Sequence, residues 1–384
     1  MNSPGSPPPG RPRILLVGAG HAHLHVIRHR HRLASAELVV VDPGGFWYSG
    51  LATGMLGGRV APAEDRLDPR RLCRRHDATL LRARLDGVDL TTREACLDDG
   101  RRLGFSLLSL NLGSQVDHPP ARRPGPRVWT VKPIPQLANL RRQLERAFDR
   151  GETPRVAVVG GGPSGVEVAC NLAALAQRRS GEIEVTLVTR GASVLGEAPP
   201  RAQRWLARHL GRLGVRVKTE TRAVGHAPGG LMVSDETVPM GEDSLDLVIA
   251  EHVVHASGLQ PPAVAEALGL PCIEARGLAI HATLQSTGDA DIFAVGDCAA
   301  LPGRALPRQG VYGVRQGPVL LDNLAARLYG RGLRDFVPQR QALAILDLGQ
   351  GLGLALRGRH WWAGRGALRW KRWLDARFLR RYRG

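Results

Sequence analysis

Hydrophobic residues near the start of the chain occur in short, dense runs that end at glycine or aspartate. Ile14 to Val17 form one run, which stops at Gly18, and Glu37 to Val41 contain another, which stops at Asp42. A stretch long enough for a helix separates the two runs. This pattern predicts a strand–helix–strand unit with two buried parallel strands.

The same pattern occurs again in the middle of the chain. Val156 to Val159 stop at Gly160, a helical stretch covers Ser164 to Gln177, and Val185 to Val188 form the next buried run. Two such units, each opened by a glycine turn, indicate two nucleotide-binding domains rather than one.

A third apolar run, Ile292 to Val295, follows the second unit and ends in Gly296 and Asp297. Its position suggests that the chain returns to complete the first domain, so that the second domain is an insertion. We therefore predict an α/β fold with two Rossmann-like dinucleotide-binding domains and a short C-terminal α+β element. The predicted segments are a disordered leader at residues 1–12, a first domain split into residues 13–120 and 258–335, a second domain at residues 121–257, and a C-terminal element at residues 336–384.

The second glycine turn carries the complete GxGxxG pattern in Gly160, Gly162 and Gly165. The first glycine permits the tight turn, the second lets the backbone approach a pyrophosphate, and the third lets the helix pack on the strand. Because the pattern lies between a predicted strand and a predicted helix, we interpret it as a dinucleotide site.

The first glycine turn departs from this pattern, because Gly18 and Gly20 are followed by His23 at the third position. A side chain there is expected to push the helix away from the strand. Asp42 supports a nucleotide nevertheless, since an acidic group at the end of the second strand accepts the ribose hydroxyls of an adenosine. The alternative is that Asp42 simply starts a turn.

His21, His25 and His29 are spaced four residues apart and would share one helical face. They raise the possibility of a metal site, but no carboxylate or cysteine accompanies them at ligand spacing. We therefore predict no metal, and we expect His21 to cap the start of the helix beside the pyrophosphate.

The composition narrows the function without defining it. The formal net charge of +18 comes almost entirely from arginine, which is typical of a GC-rich genome, and no nucleic-acid-binding motif accompanies it. The five cysteines include no CxxC pair, which argues against a disulfide framework or a thiol redox pair. No apolar run reaches membrane-span length and no signal peptide is evident, so we expect a cytoplasmic protein without a nucleic-acid partner.

In combination these motifs resemble the pyridine nucleotide-disulfide oxidoreductase superfamily, particularly its type II NADH dehydrogenase-like branch and the dehydrogenase-like module found fused to selenophosphate synthetase. The motifs, in the family's order, are GAGHAH (18–23), LGS (112–114), GGGPSGVE (160–167) and IFAVGDCA (292–299). The resemblance implies FAD in the split first domain and NAD(P)H in the inserted domain. By position it assigns Gly18, Gly20, Asp42, Gly113, Gly296 and Asp297 to FAD, Lys132 and Val311 to the flavin ring, and Gly160, Gly162, Gly165 and Glu167 to the nicotinamide side.

The implied reaction passes a hydride from nicotinamide to flavin N5, so positioning is the main contribution of the protein. We select Tyr48, Lys132 and Glu167 as candidate catalytic residues. Glu167 either acts in the reaction or complements the helix dipole, and Tyr48 either gates the flavin or packs. Arg190 follows the second strand of the inserted domain, where it would pair with a 2′-phosphate and favour NADPH over NADH.

We expect the electron acceptor to be a quinone or another small molecule. Family members that reduce disulfides carry a cysteine pair where this chain has residues 46–50, FWYSG, so disulfide reduction is not expected. Type II NADH dehydrogenases have an Ala-Gln quinone motif where this chain reads VYGVRQ at residues 311–316. This chain therefore departs from the motif by which those enzymes bind quinone. The alternatives are a sulfur or selenium redox enzyme, for which Cys298 is the placed cysteine, and a redox sensor without turnover.

The end of the chain predicts a basic amphipathic helix, with an apolar face at Ala367, Trp370, Leu374, Phe378 and Tyr382 and arginines around it. Such a helix would lie on an anionic membrane surface and make the protein peripheral on its inner face. The alternatives are that it caps the FAD domain or forms a homodimer interface.

Overall fold

A computed structural model of the chain describes residues 10–120, 124–238 and 244–383. The predicted disordered leader lies outside the described residues except for its last three positions. Within the described residues, no helix combines the length and the apolar character that crossing a bilayer requires.

The first part of the chain builds most of one parallel sheet and its covering helices. Its elements are β1 (Arg13–Val17), α1 (His21–Arg28), β2 (Glu37–Val41), β3 (Phe46–Trp47), α2 (Ser49–Leu56), β4 (Arg66–Leu67), α3 (Pro69–Arg75), β5 (Thr79–Leu81), β6 (Leu85–Asp89), β7 (Glu94–Leu97), β8 (Arg102–Gly104), β9 (Leu107–Leu110) and β10 (Gln115–Val116). Every residue of β1 is buried, as expected for a strand covered on both faces.

The middle of the chain builds a second parallel sheet and an antiparallel three-stranded sheet beside it. Its elements are β11 (Arg127–Thr130), α4 (Pro135–Asp149), β12 (Arg155–Val159), α5 (Pro163–Arg178), β13 (Glu184–Val188), α6 (Pro200–Arg212), β14 (Arg216–Lys218), β15 (Thr221–Ala227), β16 (Gly230–Asp235), β17 (Leu245–Ile249) and β18 (His252–His255). The parallel sheet has the order β11-β18-β12-β13-β14.

The chain then returns to the first sheet, as the third apolar run predicted. The elements are β19 (Leu259–Gln260), β20 (Cys272–Ile273), β21 (Gly277–Ala279), β22 (Ile292–Ala294), β23 (Ala299–Ala300) and α7 (Gly310–Tyr329). The first sheet has the order β22-β9-β1-β2-β5, and β22 pairs in parallel with β9. The second domain is therefore inserted between two segments of the first, with β10 and β19 pairing where the chain leaves and re-enters.

The end of the chain forms the α+β element, which consists of β24 (Ala344–Asp347), β25 (Gly353–Arg357), β26 (His360–Gly364) and α8 (Arg365–Arg383). The three strands form an antiparallel sheet in sequence order. The predicted fold class, two Rossmann-like domains with one inserted in the other and a C-terminal α+β element, is confirmed, while the residue boundaries of the domains stay a prediction.

Helices α1 and α7 pack closely because glycines of α7 face histidines of α1. A Cβ on Gly310 would lie 2.9 Å from His21 Cε1, and one on Gly317 would lie 2.9 Å from His25 Cβ. This close approach brings the start of α7 to the first glycine turn, at the carboxyl edge of the first sheet, where open α/β sheets bind ligands.

Candidate functional site

The first glycine turn brings the backbone between β1 and α1 very close to Asn111, which follows β9. Gly18 has a φ of +87°, and a Cβ there would lie 2.3 Å from the Asn111 carbonyl oxygen. A Cβ on Gly20 would lie 2.5 Å from Asn111 Nδ2. That nitrogen is buried and has no hydrogen-bond partner among the described residues, which indicates a missing acceptor. The turn and this amide therefore fit an oxygen-rich group such as a pyrophosphate.

Asn111 also contacts the third glycine signal, although the sequence analysis did not single it out. Gly296 has a φ of +73°, and a Cβ there would lie 2.7 Å from Asn111 Oδ1. The Gly296 N–H donates to Gln316 Oε1 of α7 at 2.7 Å. The only sequence signal for Asn111 was its place directly before the motif at residues 112–114.

His23 occupies the position of the third glycine, yet its side chain is built into the turn. The ring is buried, Nδ1 donates to the Gly18 carbonyl at 2.5 Å, and Nε2 accepts from the Ser109 hydroxyl at 2.8 Å. Burial lowers the pKa of His23 to about 4, so the ring is neutral and can bond in both directions. The imidazole thus satisfies two buried polar groups, while the expected displacement of the helix from the strand stays a prediction.

Asp42 is buried at the end of β2 and holds the backbone around it. Its Oδ2 accepts from the Ala19 N–H at 2.9 Å, and its Oδ1 accepts from the N–H groups of Gly44 and Gly45 at 3.1 and 2.6 Å. The carboxylate thus starts a turn and braces the glycine turn at the same time. Its predicted contact with a ribose stays a prediction.

Asp297 follows Gly296 and forms an ion pair with Lys132. The same carboxylate accepts from the Ser114 hydroxyl at 2.8 Å, and Lys132 donates to that hydroxyl at 2.9 Å. Burial acts to raise the pKa of Asp297, but Lys132 and Ser114 outweigh it and lower the pKa. Gly113, next to Ser114, has a φ of +74° and open space around it.

The second glycine turn has the geometry that the fingerprint predicts. Gly160 has a φ of +123°, and a Cβ on Gly165 would lie 1.8 Å from the Gly160 carbonyl oxygen. Gly162, the N-cap of α5, has no heavy atom within 4 Å of the place a Cβ would take, so the approach to the helix N-terminus is open. Arg190 is exposed just beyond β13, and its contact with a 2′-phosphate stays a prediction.

One cavity of about 610 Å³ brings together side chains from both domains and from the C-terminal element. All three candidate catalytic residues, Tyr48, Lys132 and Glu167, line it. Its wall also includes His21, Val311 at the start of α7, Pro163 and Ser164 at the start of α5, and Leu346, Lys371, Leu374, Asp375 and Phe378 from the C-terminal element. The wall is largely apolar with a few charged groups, which is typical of a small-molecule site.

His21 and Tyr48 belong to an aromatic cluster that joins the glycine turn to α8. The His21 ring lies edge-on to Phe46 at 4.9 Å, and the Tyr48 ring stacks on Phe378 at 4.7 Å. Burial lowers the pKa of His21 to about 4, with Asp297 opposing. Helix α1 has Gly20 as its N-cap and no side-chain cap, so the expected capping role of His21 was wrong: its ring packs among aromatic residues instead.

Glu167 connects α5 to the C-terminal element. Its Oε1 accepts from the Asp347 N–H of β24 at 2.6 Å and from the Thr53 hydroxyl of α2 at 3.3 Å. Burial raises the pKa of Glu167 to about 7, with Lys371 opposing. A carboxyl group that titrates near neutral pH on the wall of a cavity is suited to giving or taking a proton there.

Helix α8 buries Ala367, Phe378 and Tyr382 of the predicted apolar face. Lys371 and Asp375 are buried, and they form an ion pair at 3.0 Å, while Trp370 of the predicted apolar face is 37% exposed. The Tyr48 hydroxyl donates to Asp375 at 2.9 Å. Hydrophobic periodicity did not predict the burial of Lys371 and Asp375, because only their pairing makes burial of the two charged groups tolerable.

Cys298 does not reach the cavity. It is 0% exposed, its sulfur accepts from the Leu112 N–H at 3.3 Å, and burial raises its pKa to about 11. No cysteine is among the described residues that line the cavity. Since the thiolate is the reactive form, this geometry disfavours the sulfur or selenium alternative.

Comparisons with known proteins agree with this arrangement. The family model for pyridine nucleotide-disulphide oxidoreductases matches residues 12–317. The chain is 26% identical over 376 residues to demethylphylloquinone reductase NdbB of Synechocystis sp., covering 91% of this chain and 89% of that protein. It is 23% identical to the NADH dehydrogenase-like protein YutJ of Bacillus subtilis, covering 90% and 92%.

The fold also matches a solved structure closely. NDH2 from Plasmodium falciparum in complex with NADH superposes with a TM-score of 0.81 at 12% identity, covering 97% of both chains. The family match spans most of the chain and both glycine turns. The chain therefore belongs to the pyridine nucleotide-disulphide oxidoreductase family and is an FAD-dependent oxidoreductase that uses NAD(P)H.

Proposed function

We propose that the protein is an NAD(P)H:quinone oxidoreductase. The observation that carries the proposal is the single cavity in which the N-terminus of α5, the start of α7 and the C-terminal element meet. FAD, when bound, supplies a ring that takes a hydride from nicotinamide and passes the electrons to an acceptor. The residues of this chain then have to hold both partners against that ring and exclude water.

The residues on the FAD side suit the roles that we propose for them. The turn at Gly18 and Gly20, with the partnerless amide of Asn111, would hold the pyrophosphate. Lys132 and Asp297 lie next to the start of α7. The first N–H groups of this helix, near Val311, have no partner within the helix and favour negative charge that develops on the flavin ring.

Other residues of the cavity wall suit a quinone. Leu346, Leu374 and Phe378 supply apolar surface for a ring, and Glu167 and Lys371 supply polar groups that can donate hydrogen bonds to its two oxygens. A quinone needs protons as well as electrons, so an apolar wall with proton donors fits it better than it fits a purely electron-accepting partner. The name of the relative NdbB, a demethylphylloquinone reductase, points to the same acceptor class.

Replacing Glu167 by glutamine tests this proposal. The wild-type enzyme is expected to reduce a short-chain quinone fastest when Glu167 is protonated, so the rate falls as the pH rises through about 7. The variant should lose this limb and be at least about tenfold slower with the quinone. The measurement is steady-state turnover against pH, with the exposed Glu152→Gln as a control. A wild-type enzyme that reduces ferricyanide but no quinone contradicts the proposal.

We also propose that Arg190 recognises the coenzyme. It is exposed beyond β13, whose last residue, Val188, and the following Thr189 are not acidic. Replacing Arg190 by alanine is expected to lower kcat/KM for NADPH by about tenfold, because an Arg–phosphate pair is lost, and to leave NADH unaffected. Equal losses with both coenzymes would show that Arg190 contacts a part that NADH and NADPH share. The name of the relative YutJ, an NADH dehydrogenase-like protein, would then favour NADH as the coenzyme.

We further propose that the outer face of the C-terminal element contacts a membrane surface peripherally. Trp362, Trp370 and Trp373 are each more than a third exposed, and the first two stack at 5.8 Å. Arg377 lies over the ring of Trp373. Exposed tryptophans beside arginines are typical of surfaces that bind anionic lipid, where a quinone would be available to the cavity behind them.

A further inference from the structure

Asp65 is a fully buried carboxyl group that the reaction described above does not use. Its side chain is 0% exposed, and neither of its oxygens has a hydrogen-bond partner among the described residues. It stands immediately before β4, and its carbonyl accepts from the Tyr48 N–H at 2.9 Å. Burying a carboxyl group without a partner is costly, so a native structure that keeps one calls for an explanation.

The groups around Asp65 connect it to the cavity. Lys371, Asp375 and Arg383 of α8 interact with it electrostatically, and Tyr48 faces it from the opposite strand. Lys371 donates to Asp375 Oδ2 at 3.0 Å, and the Tyr48 hydroxyl donates to Asp375 Oδ1 at 2.9 Å. Tyr48, Lys371 and Asp375 line the cavity, whereas Asp65 is not among its lining residues.

The charge state of Asp65 and its neighbours Lys371 and Asp375, here called the Asp65 cluster, follows from their burial. Burial raises the pKa of Asp65 to about 8, with Lys371 opposing and Asp375 adding to the rise. Asp65 is therefore protonated at neutral pH, beside an ion pair that is already balanced. The Asp65 cluster therefore holds one transferable proton, on Asp65, in addition to those of the Lys371–Asp375 ion pair.

We propose that Asp65 stores the proton that replaces the one Lys371 gives to the acceptor. This inference rests on the proposed quinone reductase function. Reduction of a quinone to a quinol takes two electrons and two protons: the hydride of NAD(P)H brings both electrons and one proton, and the medium supplies the second proton. That second proton leaves Lys371 Nζ for a quinone oxygen, which ends the ion pair of Lys371 with Asp375. The neutral Lys371 side chain then swings to within hydrogen-bond distance of the Asp65 carboxyl group, which restores the proton to Lys371, and the solvent restores the proton to Asp65. Asp65 acts through Lys371 and does not itself touch the acceptor.

Replacing Asp65 by asparagine tests the inference, because the amide keeps the shape and neutrality of the side chain but has no proton to give. In anaerobic stopped-flow experiments, we expect flavin reduction by NAD(P)H and flavin reoxidation by ferricyanide, which takes no proton, to proceed at wild-type rates. Reoxidation by a short-chain quinone should be at least about tenfold slower. Quinone reoxidation at the wild-type rate overturns the inference. Loss of all three rates together does so too, because it assigns Asp65 a structural role.

Two further measurements keep the test decisive. Asp77→Asn, which changes a carboxyl group that is 97% exposed, should match the wild type in all three rates. In the Glu167→Gln variant, which lacks the limb near pH 7, quinone reoxidation should slow as the pH rises through about 8 while ferricyanide reoxidation does not, and a flat quinone profile there overturns the inference even if Asp65→Asn fails to fold. If the proposed function is wrong, the wild type does not reduce quinone. If only this inference is wrong, the wild type reduces quinone and Asp65→Asn is reoxidised by quinone at the wild-type rate.

Discussion

Replacing Gly165 by alanine is expected to give a protein that still binds FAD but whose flavin is reduced by NAD(P)H about a hundredfold more slowly. The added Cβ would lie 1.8 Å from the Gly160 carbonyl oxygen, which is backbone and cannot turn aside. Helix α5 would have to move away from β12, and its N-terminus would no longer face the pyrophosphate correctly. Anaerobic stopped-flow reduction of the bound flavin measures the effect.

Two other glycines provide matched controls for this substitution. Gly211 lies in α6 with open space around it, so Gly211→Ala should behave as the wild type. Gly162→Ala leaves α5 in place but adds a methyl group where the pyrophosphate approaches, so it should weaken coenzyme binding without destabilising the fold. Reduction of the Gly165→Ala flavin at the wild-type rate would mean that α5 does not bind the coenzyme.

Replacing Lys132 by methionine is expected to lower the free energy of unfolding by about 3 kcal/mol and to weaken FAD binding. The substitution leaves the Asp297 carboxylate without its ion-pair partner, in a place where its side chain is 14% exposed. In the wild type Asp297 has a lowered pKa, so its contribution to stability is present above the pKa of the unfolded chain and is lost as the pH falls through the folded pKa.

The free energy of unfolding of the Lys132→Met variant should depend on pH in the opposite direction. Without Lys132, burial dominates and raises the pKa of Asp297, so the folded state binds the extra proton and part of the lost stability returns as the pH falls. Urea unfolding at neutral and acidic pH measures this. Lys218→Met removes an exposed ion pair with Asp246 and should cost less than about 1 kcal/mol. A similar small loss for Lys132→Met would contradict the role of the buried pair.

The parts of the molecule that the sequence predicted are those defined by local geometry. The runs that became β1, β12 and β22 are buried strands bounded by glycine, and the need for positive φ at Gly18 and Gly160 is a property of single residues. The order of the motifs along the chain also predicted the family and the insertion of one domain in the other.

The parts that the sequence did not predict depend on pairs of residues far apart in the chain. Asn111 gains its importance from the turn at Gly18, and the burial of Lys371 depends on Asp375 and on the Gly50 carbonyl it bonds. The two hydrogen bonds of His23 likewise depend on Ser109. No periodicity in the sequence records such contacts, because they form only when elements far apart in the chain pack together.

We propose that one cavity brings the nicotinamide to the flavin, and an anaerobic titration of the purified protein can decide this. We expect a yellow protein whose flavin is bleached completely by an equimolar amount of NADH or NADPH and regains its colour when a quinone is added. A protein that binds FAD but whose flavin stays oxidised under an excess of both coenzymes would rule out this role of the cavity.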